Sequence, residues 1–212
     1  QDLTYIIGEL IGELNIGHAY VGGGDYVKAD RVNMGLLGAR LAKDPSGYYK
    51  ITKIFKGQNW DRVTRSPLTE IGVSAKEGDY IIAINGIKTS DVSNINQLLI
   101  ATADKQVKLT LNSKPSEEGS RVVTVVPTND EQKLIYYNWV EENYEKVNKA
   151  TNGRVGYVHI PNMGSEGLNE FVKHFYAQLS KEALIVDDRG NGGGNVSPHI
   201  IERLRREPRS EE

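Results

Sequence analysis

The stretch "EALIVDDRGNGGGNVSPH", residues 182–199, decides how the second half of this chain folds. It opens with a continuous apolar run, which is typical of a parallel strand buried on both faces. Four glycines then occupy five positions, although glycine loses more conformational entropy on folding than any other residue. A helix is expected to begin near Ser197, whose side chain is predicted to act as its N-cap. The stretch therefore predicts a strand, a loop of bare backbone and a helix.

The residues before this stretch predict a crossover unit. "GRVGYVHIP", residues 153–161, indicates a strand, and "EGLNEFVKHFYAQLS", residues 166–180, carries apolar residues at helical spacing. Strand, helix and strand in this order favour a parallel pair. A further helix is predicted from about residue 130 to 150. Because ligands of open α/β sheets bind at the carboxyl ends of the strands, the glycine loop is a candidate site.

The first half of the chain has a different pattern. Apolar residues at positions 3, 6, 7, 10, 11 and 14 predict an amphipathic helix, in which Gly8 and Gly12 would allow another segment to pack closely. From about residue 33 to 127 the pattern is one of strands and turns, and "KPSEEG", residues 114–119, is predicted to join two strands as a hairpin. "DVSNINQLLIATA", residues 91–103, predicts one helix among them.

The overall composition excludes several classes of function. The 212 residues carry a net charge of −2 and no cysteine. This charge offers no basic field for nucleic acid or an anionic membrane, so neither is predicted as a partner. The four histidines lie far apart in the sequence, and we predict no metal and no cofactor. The chain begins with Gln1 and ends in a polar, arginine-rich run, which we interpret as a piece of a longer protein.

Three interpretations of the glycine loop compete. A phosphate-binding loop is disfavoured, because neither a terminal Gly-Lys-Ser/Thr nor the G-x-G-x-x-G spacing is present. A tight turn kept only for packing stays open. The interpretation we favour is a set of bare N–H groups directed at an oxygen that becomes negative during acyl transfer, where a side chain would block the approach.

Several motifs then occur in the order and approximate spacing of one family. They are "ELNIGHAYVGGGD" (13–25), "GLLGARL" (35–41), "GYVHIPNMG" (156–164) and "IVDDRGNGGGNVS" (185–197). On these motifs the chain resembles the carboxyl-terminal half of tricorn-type serine proteases. The resemblance implies an α+β fold, in which a PDZ-like, partly open β-barrel (30–128) is inserted between the end of a helical subdomain (1–29) and the start of a crotonase-like α/β subdomain (129–212).

The resemblance also implies the residues of a catalytic site. His18 would be the general base toward a serine hydroxyl, and Gly192, Gly193 and Gly194 would form the oxyanion loop. The resemblance assigns the nucleophilic serine to sequence beyond the end of this chain, so this fragment is not expected to hydrolyse peptides. Gly17 stands where the family's namesake has a serine that orients the histidine, so either this orientation comes from another group or the activity is weaker.

A PDZ-like domain implies a second site. Its loop, residues 35–38, would bind a peptide carboxylate through backbone N–H groups, and Leu36 and Leu37 would line an apolar pocket for the peptide. Leu36, Leu37 and Gly38 are therefore the predicted peptide-binding residues. The alternatives are a structural spacer between the two halves of a protease, or a peptide-binding module without catalytic activity. For the full-length protein, the resemblance implies peptide substrates, homo-oligomers and a cytoplasmic location, although an exported protein stays open.

Overall fold

The computed structural model describes residues 2–25 and 32–206. The chain divides into two compact units, Gln1–Asn33 and Met34–Glu212, and each is described by itself. The domain boundary predicted between residues 29 and 30 lies outside the described residues. No helix in the described part of the chain is both long and apolar enough to cross a lipid bilayer.

The first unit contains the predicted amphipathic helix, α1 (Asp2–Glu13). The segment that follows α1 returns along it, and a Cβ atom added to Gly8 would lie 3.5 Å from Val21 Cγ1. The close approach predicted at Gly8 is therefore present. Gly12 has no such neighbour within 4 Å.

The second unit begins with a six-stranded antiparallel sheet. Its strands are β1 (Ala39–Lys43), β2 (Tyr49–Ile54), β3 (Tyr80–Ile84), β4 (Ile87–Lys88), β5 (Val107–Asn112) and β6 (Arg121–Val125). They are ordered β1-β2-β3-β5-β6, and β4 pairs with β3. The predicted hairpin is confirmed, because β5 and β6 pair in register from Val107 with Val125 to Leu111 with Arg121. Alternate side chains such as Ile51 and Leu109 are fully buried and form the core.

The helix predicted over residues 91–103 is wrong in length and type. The structure has a short 3₁₀ helix at Ile95–Leu99, which begins after Asn94, whose side chain accepts the Asn96 N–H. Ile100 is already extended and bridges to Met34 in an antiparallel manner. The helix ends there because a residue that joins a β-bridge cannot keep helical dihedral angles.

The remainder of the second unit contains the predicted crossover unit, which is a strand, a helix and a strand, with one helix before it and one after it. This remainder consists of α2 (Gln132–Ala150), β7 (Val155–His159), α3 (Ser165–Phe175), β8 (Ala183–Asp187) and α4 (Ser197–Leu204). The strands β7 and β8 pair in parallel, from Val155 with Ala183 to His159 with Asp187. Phe171 of α3 is fully buried between the helix and the strands.

Two details of the deciding stretch were predicted wrongly. β8 is not buried on both faces: Ile185 is 44% and Val186 40% exposed, because α2 packs on β7 and leaves β8 less covered. Ser197 is not the N-cap of α4, since Val196 precedes the helix and no side chain caps it. Ser197 lies inside the first turn, followed by Pro198, which is favoured there because it lacks an N–H that would need an acceptor.

The helix α2 joins the antiparallel sheet to the parallel pair. Leu134 is fully buried, and the Lys56 N–H donates to Asn138 Oδ1 at 2.9 Å. Gln58 Nε2 donates to the Tyr137 hydroxyl, also at 2.9 Å. Since the other side of α2 packs on β7, both sheets are built on one helix.

Candidate functional site

The glycine loop follows β8 and lies beside the segment that follows β7. The Gly192 N–H donates to the Pro161 carbonyl at 3.1 Å, and the Met163 N–H donates to the Gly193 carbonyl at 2.8 Å. The Met163 carbonyl in turn accepts two N–H groups, one of them from Asn195 at 2.7 Å. The loop is thus held at the carboxyl edge of the parallel pair, where α/β sheets bind ligands.

The three glycines predicted as oxyanion donors differ in whether their N–H is available. That of Gly192 is already paired, and the Gly193 N–H donates to Asn191 Oδ1 at 2.8 Å. The Gly194 N–H has no acceptor in the described part of the chain. A Cβ atom on Gly194 would lie 2.2 Å from the Met163 carbonyl oxygen, and its φ is +141°. Gly194 is therefore the candidate donor of the three, at a position that admits only glycine.

A buried histidine supports the start of this loop. His159, the last residue of β7, is 4% exposed. Its Nε2 lies 2.9 Å from the Arg189 carbonyl, directly before Gly190, and its Nδ1 lies 2.9 Å from the Tyr136 hydroxyl. Because a carbonyl can only accept, Nε2 carries a hydrogen, and in the neutral ring Nδ1 accepts from the hydroxyl. The Trp139 ring packs edge-on against the imidazole at 4.8 Å.

An ion pair holds the same loop from β8. The Arg189 side chain donates to both carboxylate oxygens of Asp187, with Nε at 2.9 and 3.1 Å, and the Tyr157 hydroxyl donates to Oδ2 at 2.7 Å. The hydrogen bonds from Arg189 hold the pKa of Asp187 well below its usual range, although burial opposes the shift. Burial, and then the bond to Asp187, raise the pKa of Tyr157 to about 12. Tyr157 is therefore a protonated donor at neutral pH.

Sequence analysis missed His159, Tyr136 and Asp187 as supports of the loop. The available signal was a polar residue at the end of each of two apolar strands, at His159 and at Asp187. In a parallel pair these ends lie side by side, and the structure pairs the two residues directly. Tyr136, on a helix more than twenty residues earlier in the chain, gave no such signal.

His18 lies in the first unit, in an exposed turn with φ +65°. Its Nδ1 is 3.3 Å from the Tyr20 hydroxyl. Gly17 has no side chain that could contact the ring, and the hydroxyl of Tyr20, two residues after the histidine, makes this contact instead. The glycine loop lies in the second unit, so the juxtaposition of His18 and the loop stays a prediction.

A second candidate site is a groove in the antiparallel part. It encloses about 320 Å³, within the range of small-ligand sites. Residues 35–37 of the predicted loop, the edge strand β1 and the 3₁₀ helix line it, together with Glu131. The apolar lining residues include Leu36, Leu37, Leu41, Ile95 and Leu99. Leu37 is 4% exposed and also belongs to the core of the sheet.

The N–H groups of this loop differ in whether they have a hydrogen-bond acceptor. The Leu36 N–H donates to the Thr128 carbonyl at 2.7 Å, and the Gly38 N–H donates to Glu131 Oε2 at 3.1 Å. The Leu37 N–H has no acceptor among the described residues. The predicted carboxylate-binding loop therefore already holds a carboxylate, from this chain itself.

Family models and curated relatives that match this chain together cover nearly all of it. The family model for the tricorn protease PDZ domain matches residues 35–130, and that for peptidase family S41 matches residues 154–207. Tricorn protease homolog 1 of Streptomyces coelicolor is 36% identical over 97% of this chain. The tricorn protease of Thermoplasma volcanium is 36% identical over 96% of it.

A solved structure points to the same family as these relatives. The crystal structure of the tricorn protease superimposes with a TM-score of 0.85 at 34% identity, over 97% of this chain and 20% of that one. The chain spans about a fifth of the length of the curated relatives, 19% of each of the two named above. With two family models in their expected order and relatives matched from end to end of this sequence, the chain belongs to the tricorn protease family.

Proposed function

We propose that this chain supplies the general base and one oxyanion donor of a serine peptidase that hydrolyses peptide bonds in oligopeptides. The observation that carries the proposal is the free N–H of Gly194 at the carboxyl edge of β8, in a chain of the tricorn protease family. The matched relatives are named tricorn proteases, and their activity comes to this chain only as part of the proposal.

In this proposal His18 is the general base. It takes the proton of a serine hydroxyl and later gives it to the leaving amine, as an imidazole near neutral pH is suited to do. Tyr20 supports this role, because an Nδ1–H that donates to its hydroxyl oxygen leaves Nε2 free as the base. Tyr20 would then orient His18 in place of the serine that is absent at position 17.

Gly194 would bind the negative oxygen of the tetrahedral intermediate. A single preorganised donor of this kind changes kcat by about 10²–10³-fold in well-studied hydrolases. We assign the nucleophilic serine to a part of the protein outside this chain, as the resemblance implies. Collapse of the intermediate gives an acyl-enzyme, which water then hydrolyses with His18 acting again as base. Without the serine, the residues described here leave only a small rate enhancement.

The same proposal includes three expectations about the full-length protein: its subdomain, its oligomeric state and its location. The segment from about residue 129 would be the start of a crotonase-like subdomain. Among the described strands β8 pairs only with β7, and this unpaired edge supports a sheet that continues beyond them. Homo-oligomers and a cytoplasmic location of the full-length protein stay predictions.

The experiment compares the full-length protein with two histidine variants on fluorogenic oligopeptides. We expect His18→Ala to lower kcat by about 10²–10⁴-fold, the usual contribution of a general base. His199→Ala removes an exposed imidazole on α4 and should leave kcat unchanged. A full rate in the His18→Ala protein, with thermal unfolding like that of the parent, would remove the proposed base.

A second function is supported by the groove. We infer that it binds the carboxyl terminus of a peptide, because its loop has two adjacent N–H groups, of Leu37 and Gly38, that no backbone carbonyl of the described residues accepts. The test is fluorescence anisotropy of a labelled hexapeptide ending in leucine, with a free carboxyl group or as the carboxamide. Equal binding of the two forms would contradict carboxylate recognition and favour a structural spacer.

A further inference from the structure

Glu131 occupies an unusual position for a residue at a helix start. It directly precedes α2, yet its side chain caps no N–H of that helix. Asp130 does this instead, since its Oδ1 accepts the Gln132 N–H at 2.8 Å. The Glu131 carboxylate is thereby free to reach the Gly38 N–H, 93 residues away in sequence, at 3.1 Å.

The backbone of the loop at residues 37 and 38 is arranged like a carboxylate-binding site. Gly38 has φ +69°, and a Cβ atom there would lie 3.0 Å from Leu134 Cδ2, so the position favours glycine. Its N–H lies beside the groove, because its acceptor Glu131 is one of the residues that line the groove. The preceding N–H, of Leu37, has no acceptor among the described residues. Consecutive amides at the end of a sheet-edge groove are the arrangement that binds a peptide carboxylate. Glu131 presents the same chemical group to it.

The surroundings hold this carboxylate only weakly. Burial raises the pKa of Glu131, and the hydrogen bond from Gly38 and the charge of Arg40 offset this effect only in part. Asp130, the neighbouring carboxylate, adds to the rise. Ionised Glu131 is therefore less favourable in the loop than in water, and a second carboxylate can compete for the same amide.

We propose that the Glu131 carboxylate is an internal occupant of the loop, and that a peptide ending in a free carboxylate and an apolar side chain binds the groove by displacing it. The inference rests on the peptide-binding function proposed above. The apolar side chain is required by the floor of the groove, which Leu37, Ile95 and Leu99 form. The apparent affinity is then lowered in proportion to the fraction of molecules in which Glu131 occupies the loop.

The test uses the complete 212-residue chain and three proteins: wild type, Glu131→Ala and the control Asp130→Asn. Asp130→Asn removes a charge one residue away but keeps a side-chain oxygen that caps α2. The probe is the labelled hexapeptide ending in leucine, as the free acid and as the carboxamide. We expect Glu131→Ala to bind the free acid about tenfold more tightly than wild type, the equivalent of one hydrogen bond. The carboxamide affinity should not change. Asp130→Asn should bind the free acid no more tightly than wild type, because loss of the neighbouring charge favours ionised Glu131 in the loop.

A second measurement is independent of the peptide. In wild type, the amide proton of Gly38 should shift with pH as Glu131 titrates, with a midpoint above that of an ordinary glutamate, and in Glu131→Ala this titration should be lost. If wild type and Glu131→Ala bind the free acid equally, the groove binds peptide but the internal occupant is refuted. If no protein binds the free acid, the groove function fails. A Gly38 amide that does not titrate in wild type refutes the internal occupant whether or not peptide binds.

Discussion

Replacement of His159 by phenylalanine tests whether the buried histidine holds the glycine loop. Phenylalanine fills a similar volume but removes two hydrogen bonds, to the Arg189 carbonyl and to the Tyr136 hydroxyl. Each neutral bond contributes about 0.5–1.5 kcal/mol net, and a buried group left unpaired costs about 1–3 kcal/mol. Since the histidine is 4% exposed, water does not replace it easily. We expect the free energy of unfolding to fall by about 2–4 kcal/mol.

Urea unfolding of His159→Phe, Tyr136→Phe and the double variant measures this effect. The double variant should cost less than the sum of the single ones, because the hydroxyl left unpaired in the first variant is absent from it. Tyr176→Phe, at a tyrosine that is 45% exposed, is the control and should stay within about 0.5 kcal/mol. Amide exchange at Gly192 reports the loop directly and should quicken in His159→Phe. Additive single effects, or unchanged exchange at Gly192, would refute the reasoning.

Two further predictions concern the same loop. Because folding lowers the pKa of Asp187, its carboxylate contributes stability that is fully present above about pH 4 and is lost as the pH falls through the lowered pKa. Asp187→Asn should therefore be less stable than wild type at pH 7, with a difference that narrows toward pH 2.5; a constant difference in urea midpoints would contradict this. Gly194→Ala should lower stability by about 2–4 kcal/mol, because its Cβ would overlap the Met163 carbonyl. Gly192→Ala meets no atom within 4 Å, and equal melting temperatures of the two variants would show that Gly194 is not constrained.

Two of the three errors made from sequence have a common cause. The segment 91–103 has helical spacing, but Ile100 pairs with Met34, a partner more than sixty residues away. The apolar run of β8 indicated burial on both faces, yet burial depends on what packs on each face, and Ile185 is 44% exposed. In both cases the local pattern was present, but contacts with distant residues decided the structure. The bridge to Met34 ends the helix at Ile100, and incomplete packing on β8 leaves Ile185 exposed.

The sequence by itself determined the types of most elements, the parallel crossover and the place of the glycine loop, because periodicity, turn residues and strand order act over a few neighbouring residues. Only the tertiary structure decided which amides are free. Among the described residues, the N–H groups of Gly192 and Gly193 have acceptors and that of Gly194 has none. The Gly38 N–H donates to Glu131, which lies 93 residues away in the sequence. Hydrogen-bond partners of this kind depend on where packing places distant segments, and no local pattern in the sequence records that.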